Sequence, residues 1–338
     1  MGAPAAVVDD TISVPPRKPW IGSLPVLCAV LVVAALLQTP IARLVDAPGL
    51  RTGATVFVAV CVQALPFLVL GVLLSGAITA FVPPSTLARL LPAGPAAVPV
   101  AGLAGMALPG CECASVPVAR RLIGQGVPTA AALTFLLAAP AVNPIVLVAT
   151  AVAFPGQPEM VLARFLGSLL TAIVMGLLWL RFGQAGWIAQ RVLDRCSPAP
   201  GTSRFTTFTE TARHDLAEAG GFLVIGGLTS AALTTLVPPA VFTGLAGNLL
   251  LGVLTMAALA VVLSLCSEAD AFVAAALTGL PMLPRLVFLV VGPAIDLKLF
   301  ALQAGTFGRR FALRFAPATF LVAVVCACAV GLVVLGVG

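Results

Sequence analysis

The residues with chemistry to offer are few, and they fall into three places. The first is Pro109-Gly110-Cys111-Glu112-Cys113-Ala114-Ser115-Val116-Pro117, which sets a carboxylate between two thiols. A Cys-x-Cys pair in an unwound turn can place two sulfurs on one soft ion, and thiolates suit Cu(I), Zn(II) or trivalent arsenicals. Two prolines and a glycine in nine residues do not fit a regular helix. The second place is Ser264-Leu265-Cys266-Ser267-Glu268-Ala269-Asp270, where two carboxylates close the 49-residue uncharged run 219–267. Carboxylates there can bind a cation, carry a coupling proton or complete a thiol/acid site. The third is a pair, Ala139-Pro140-Ala141-Val142-Asn143-Pro144 and Gly292-Pro293-Ala294-Ile295-Asp296-Leu297-Lys298. Each interrupts an apolar stretch with proline and a polar residue, so that carbonyls and N–H groups are freed to face a substrate. On a helix Asp296 and Lys298, two apart, point away from each other. Each is therefore expected to find its partner on another helix, with Glu268 or Asp270 as the candidates for Lys298.

A plainer reading stands beside each of these. Cysteines in apolar runs pack as small hydrophobes, and acids at the end of such a run can mark a membrane-surface turn. Cys326-Ala327-Cys328 is the useful control: it has the same spacing, but no proline, glycine or charge beside it, and it reads as packing. Cys28 and Cys61 read the same way. The eight cysteines suggest no disulfide framework. His214 is the single histidine and reads as a solvated loop residue.

Elements able to position such groups must live in lipid. Of the 338 residues 60% are hydrophobic and 9% charged, against roughly 25% charged in soluble domains. Mean hydropathy is +1.14. A chain so poor in charge cannot cover itself with a solvated surface. The net charge of +6 comes from Lys and Arg in short connections, the placement of membrane-orienting charge rather than of a nucleic-acid surface. With no tyrosine there is little to stack on bases. There is no Walker A sequence, EF-type loop or GxGxxG, and so no visible ATPase domain in this chain.

The expected architecture is an all-α polytopic bundle of about 8–10 crossings, at roughly 20 apolar residues each. The expected spans are 21–38, 54–81, 97–122, 128–154, 161–181, 217–237, 246–279, 284–303 and 315–337. Residues 1–19 read as a disordered tail, 20–181 and 216–338 as two transmembrane halves, and 182–215 as a polar, cytoplasmic loop rich in arginine. Residues 21–37 are long for a signal-peptide apolar region and lack a small-x-small cleavage site, so they read as a first crossing.

The halves look related. Phe67-Leu68-Val69-Leu70-Gly71 matches Phe222-Leu223-Val224-Ile225-Gly226, Ser75 matches Ser230, and Val82-Pro83-Pro84 matches Val237-Pro238-Pro239, each pair 155 positions apart. The same offset carries Cys111 onto Cys266. After a two-residue deletion Pro140-Ala141-Val142-Asn143 meets Pro293-Ala294-Ile295-Asp296. Secondary transporters are commonly built from two such repeats, with sites on discontinuous helices. Four crossings from one repeat to the next imply parallel repeats. Strict alternation then puts Arg309, Arg310 and Arg314 on the face opposite 182–215, against the charge rule. A re-entrant hairpin in one proline-broken segment would change the parity.

At these residues the sequence resembles the predicted permeases that include the organoarsenical efflux permeases of bacteria. The resemblance rests on Cys-x-Cys-x-x-x-Pro-Val-Ala-x-x-Leu from Cys111 to Leu122 and on Gly-Val-Pro-x-x-Ala-Ala-Leu-x-Phe-Leu-Leu-Ala-Ala-Pro-Ala-Val-Asn-Pro from Gly126. The segments Cys266 to Phe272 and Gly292 to Lys298 complete it, so that it covers about residues 55–305. It implies a multi-pass permease of the cytoplasmic (inner) membrane without an ATPase. Some members export trivalent methylated or aromatic arsenicals with cysteines recognising arsenic, and others are associated with zinc or copper. Glu112 stands where Ser or Gly is expected, and its charge favours a cationic metal over a neutral arsenical hydroxide.

The resulting expectation is a secondary transporter of a soft metal or metalloid, most readily outward, and not an enzyme. Cys111, Cys113 and Cys266 would bind the cargo, and Glu112, Glu268, Asp270, Asp296 and Lys298 would serve charge compensation or proton coupling. Pro109, Gly110, Pro117, Pro140, Asn143, Pro144 and Pro293 would break helices and line the path. No cofactor is firmly implied beyond a bound soft metal or metalloid as substrate. Expected partners are the lipid bilayer, the substrate, and a second copy or a companion metal-handling protein. The competing classes are an intramembrane thiol oxidoreductase, which lacks a CxxC and a quinone-site histidine, and an accessory subunit of a metal-handling complex.

Overall fold

The computed structural model describes residues 48–81, 92, 94–107, 112–188, 203–236, 249–263 and 266–336. The expected tail 1–19, the expected crossing 21–38, and Pro109, Gly110 and Cys111 lie outside these residues. Thr52–Gly338 forms one compact unit.

Twelve α-helices are present among the described residues. They are α1 (Pro48–Phe81), α2 (Ala97–Ala104), α3 (Glu112–Gly124), α4 (Thr129–Val142), α5 (Pro144–Ala153) and α6 (Pro158–Phe182). After them come α7 (Arg204–Leu236), α8 (Leu249–Leu263), α9 (Ser267–Ala276), α10 (Met282–Ala294), α11 (Leu297–Thr306) and α12 (Arg309–Val334). Five stretches are long and apolar enough to cross a membrane: Arg51–Phe81, Thr129–Ala153, Pro158–Phe182, Met282–Thr306 and Arg309–Val334. The protein is an all-α membrane bundle. Leu, Val and Ala supply the helices, and apolar side chains such as Val62, Val148, Leu162 and Val333 stay exposed on the outside because lipid is their solvent.

Two expected crossings take another form. Residues 97–122 fold as α2 and α3, and 246–279 as α8 and α9. In the first pair Gly102 lies against Thr134 and Gly105 against Ala138 and Ala139, so α2 runs in the same direction as α4, while α3 reaches the start of α4 through the turn 125–128 and so runs the opposite way. The two helices therefore leave and return to the same end, as a hairpin. In the second pair Gly252 of α8 sits against Pro284 at the start of α10, just after the turn that leaves α9. Eight- to fifteen-residue helices are about 12–22 Å long at 1.5 Å per residue, too short to span roughly 30 Å of hydrocarbon.

Helix direction follows from which ends touch. Ser75 and Phe81 near the end of α1 meet Asp215 and Phe208 near the start of α7, so α1 and α7 run antiparallel. Trp179 near the end of α6 packs on Phe311 and Phe315 at the start of α12, while Gly167 lies against Ala327, so α6 and α12 are antiparallel too. The guanidinium of Arg314 lies 4.6 Å over the Trp187 ring, just past the end of α6. The charges at 309–314 thus share an end with the segment that follows α6. Counting each hairpin as no crossing removes the charge conflict, because one crossing fewer lies between.

The stretch 182–215, expected as a loop, is helical from Arg204 onward. His214 is therefore a helical residue, half exposed, with Nδ1 3.9 Å from Asp215. At 33 residues α7 is about 50 Å long and overshoots a bilayer core, so its polar first turns can stand beyond the lipid.

Candidate functional site

The proline motifs end helices in a specific way. Pro140 and Pro293 lie inside the last turns of α4 and α10 rather than at the breaks. A proline there removes one backbone donor and frees the carbonyl four residues earlier. The breaks themselves fall at Asn143 and Asp296, both in extended conformation, and each caps the helix that follows. Asn143 Oδ1 accepts from the Val146 N–H at 3.0 Å, and Asp296 Oδ1 accepts from the Leu299 N–H at 2.6 Å. Pro144 occupies the first turn of α5, where its missing N–H costs nothing. Pro117 does not break α3. It is the sixth residue of that helix, and the single hydrogen bond it forfeits leaves the Cys113 carbonyl without its helical donor.

Four short helices begin inside the bundle: α3, α5, α9 and α11. Their N-termini carry the polar residues, which suits anionic groups because unpaired N–H donors and the helix dipole point there. Cys266 is the residue before α9, and Ser267, Glu268 and Asp270 are in its first turn. Cys113 and Glu112 open α3. Cys113 therefore sits in a helix, fully buried among Val116, Leu133 and Leu136, and not in the unwound turn the prolines suggested.

Lys298 is the hub. Its Nζ lies 2.8 Å from Glu112 Oε1 and 3.5 Å from Asp296 Oδ2, and all three side chains are at most 1% exposed. The pairing differs from the expectation of Glu268 or Asp270. Asp296 is outside the helix as its cap, so the two-residue spacing no longer turns it away from Lys298, and α11 packs against α3, which brings Glu112 across. The close approach is made by two glycines that stand at matching positions of the two halves. A Cβ at Gly71 would overlap the Ala114 backbone of α3, and one at Gly226 would come within 2.7 Å of the Lys298 Cα of α11.

Arg164 of α6, fully buried, went unnoticed in the sequence because a lone arginine near a helix end reads as an interfacial anchor. It donates from Nη1 to Thr150 Oγ1 of α5 and from Nη2 to the Ser267 carbonyl, both at 2.7 Å. It thereby clamps α5 to α9, and its charge is coupled to Asp270 and Glu268. Several oxygens of the site have no protein hydrogen-bond donor: Glu112 Oε2, Asp270 Oδ2, both oxygens of Glu268 and Ser267 Oγ. The site thus holds buried charge with unspent acceptor capacity, the condition of a group waiting for a ligand.

Among the described residues no group of three or more His, Cys, Asp or Glu has metal-holding geometry. Two of the three expected cargo thiols are buried at helix N-termini, Cys113 in the first turn of α3 and Cys266 just before α9, and Cys111 lies outside the described residues. Cys326 and Cys328 lie in the long helix α12, with Cys326 buried, as packing residues do.

A second buried cluster was not anticipated. Arg121 Nη2 donates to Asp215 Oδ1 at 3.0 Å, and its Nε donates to Asp215 Oδ2 at 3.3 Å. Ser75 Oγ donates to the same Oδ2 at 2.7 Å. Arg120 Nη1 stands 4.0 Å from Asp215.

A protein of Streptococcus mutans named as a two-component membrane permease complex subunit is 31% identical over 290 residues, 82% of this chain and 94% of that protein. The UPF0718 protein YcgR of Bacillus subtilis is 34% identical over 283 residues, 81% of this chain and 94% of that one. No solved structure matches. A family model described as "Predicted permease" matches residues 50–332, and it covers both hairpins and every described site residue. The chain belongs to this permease family.

Proposed function

We propose that this permease is a secondary transporter that moves a thiophilic cargo, a trivalent organoarsenical or a soft metal ion, outward across the cytoplasmic membrane. One observation carries the reading: thiols from two different hairpins, Cys113 and Cys266, are both buried at the N-termini of short helices, Cys113 in the first turn of α3 beside Glu112 and Cys266 just before α9. Thiolate sulfur is the donor that ligates soft species. Cys111, one residue before α3 as Cys266 is one residue before α9, is the third donor. The matched segments and the antiparallel α1/α7 and α6/α12 pairs support two inverted repeats, with the cargo where four short helices begin. Glu268, Asp270 and Asp296 serve charge compensation or proton coupling.

Transport into everted vesicles of methylarsenite, Zn(II) and Cu(I), compared side by side with and without a proton gradient, tests this. The double variant Cys111→Ser, Cys113→Ser is expected to insert normally and transport none of them. Full transport by that variant ends the thiol reading.

The name carried by the Streptococcus mutans relative favours a second reading, in which the chain works with a companion component. Transport by the purified chain alone in liposomes excludes a purely accessory role.

A further inference from the structure

The buried Arg121–Asp215–Ser75 cluster lies at the end of the bundle where α3 finishes, α1 finishes and α7 begins. We propose that it is a gate that seals one face of the transport path, and that Arg121 and Asp215 are positioning residues for Glu112 and Cys113. This inference rests on the permease reading but not on the cargo.

Three observations carry it. First, α3 is held at both ends by second-half residues: Glu112 by Lys298 of α11, and Arg121 by Asp215 of α7. A movement of α3 away from α7 must break the lower pair, and it would expose the first turn that bears the site. Second, the cluster is buried although it lies beside the polar start of α7. Asp215 is 2% and Arg121 4% exposed, while neighbouring His214 has half its side chain in the open. The pair is thus held out of water at the end of α3 nearest the polar part of α7. Third, the matching positions of the other half do not carry it. With the offset of 155, the positions matching Arg121 and Asp215 are Ala276 and Val60, which cannot form an ion pair. An ion pair on one side without a counterpart at the matching positions lets that side open independently, as alternating access requires.

The test reads accessibility rather than transport. Cys113 is labelled with a membrane-impermeant maleimide in sealed vesicles of either orientation and followed by peptide mass spectrometry in the otherwise native chain. An Arg213→Cys variant, at a side chain 75% exposed on the first turns of α7, identifies the face. Asp215→Asn is expected to raise the Cys113 labelling rate at least about tenfold from that face and to leave it unchanged from the other. Arg121→Lys, which keeps the charge but loses the forked contact, is expected to give a smaller rise on the same face. If Asp215→Asn does not insert, Arg121→Lys decides. Unchanged labelling in both variants, or an equal rise from both faces, overturns the gate. Failure of the cargo reading would leave these rates as they are, so the two failures are distinguishable.

Discussion

At one end of α3 Arg121 meets Asp215, and at the other Glu112 meets Lys298. Both pairs are buried, yet they are built differently. Around Asp215 each carboxylate oxygen accepts at least one donor, from Arg121 or Ser75. Around Lys298 the count is reversed: Glu112 and Asp296 share one ammonium, and Glu112 Oε2, Asp270 Oδ2 and both Glu268 oxygens have no protein donor. A saturated buried pair holds helices in one arrangement. An unsaturated one keeps its acceptors open at a cost in stability, and that cost is characteristic of functional sites. The difference separates a latch from a binding centre using only which atoms are satisfied.

The largest break in this comparison is Lys298→Ala. It strands Glu112 and Asp296 without their cation, and losing one partner of a buried pair costs about 3–5 kcal/mol. A marked fall in detergent melting temperature together with loss of transport is expected, and a melting temperature equal to the parent chain's would contradict the hub. Next comes Asp215→Asn, which keeps shape and removes charge from the saturated pair. Hydrogen bonds to charged groups contribute about 1.5–3 kcal/mol, so melting should fall by less than for Lys298→Ala while vesicle binding of the cargo persists. Asn143→Ala is smaller again, at roughly 1 kcal/mol for a lost helix cap; Asn143→Asp can still cap α5 but loses the Nδ2 donation to the Ala139 carbonyl and buries a charge, so it should also melt below the parent. The smallest stability change is expected for Glu268→Gln. Its carboxylate oxygens have no donor to lose, so melting should stay within about 1 kcal/mol of the parent while transport falls at least tenfold. A variant that is clearly destabilised yet transports normally would place Glu268 with the structural groups.

Much of the site was legible in the residues. Cys113, Cys266, Glu112, Glu268, Asp270, Asp296 and Lys298 stood out because charge and proline inside an apolar stretch are costly, and all seven are found around the half-helix N-termini. The role of Asn143 and Asp296 as matching caps follows from the Pro-x-x-Asn/Asp pattern once the breaks are placed. Partner choice was not legible. Lys298 was assigned to Glu268 or Asp270 on helical spacing, and the actual Glu112 is 186 positions away. Arg164 and Asp215 were missed for a related reason: near the ends of apolar stretches, a buried clamp and a solvated anchor have the same sequence.

Composition and the placement of proline, Asn and Asp settle the solvent and the local grammar. Sixty per cent hydrophobic residues with 9% charged require lipid, and proline, Asn and Asp dictate where helices stop and restart. What only the tertiary structure decided is direction. An apolar run with a break reads alike whether the chain continues across or turns back, because hydropathy records burial and carries no sign. Contacts supply the sign: Gly105 against Ala138 and Ala139, Asp215 beside Ser75, and Arg314 over Trp187 fix the hairpin and the antiparallel pairs, and with them the meeting of Glu112 and Lys298.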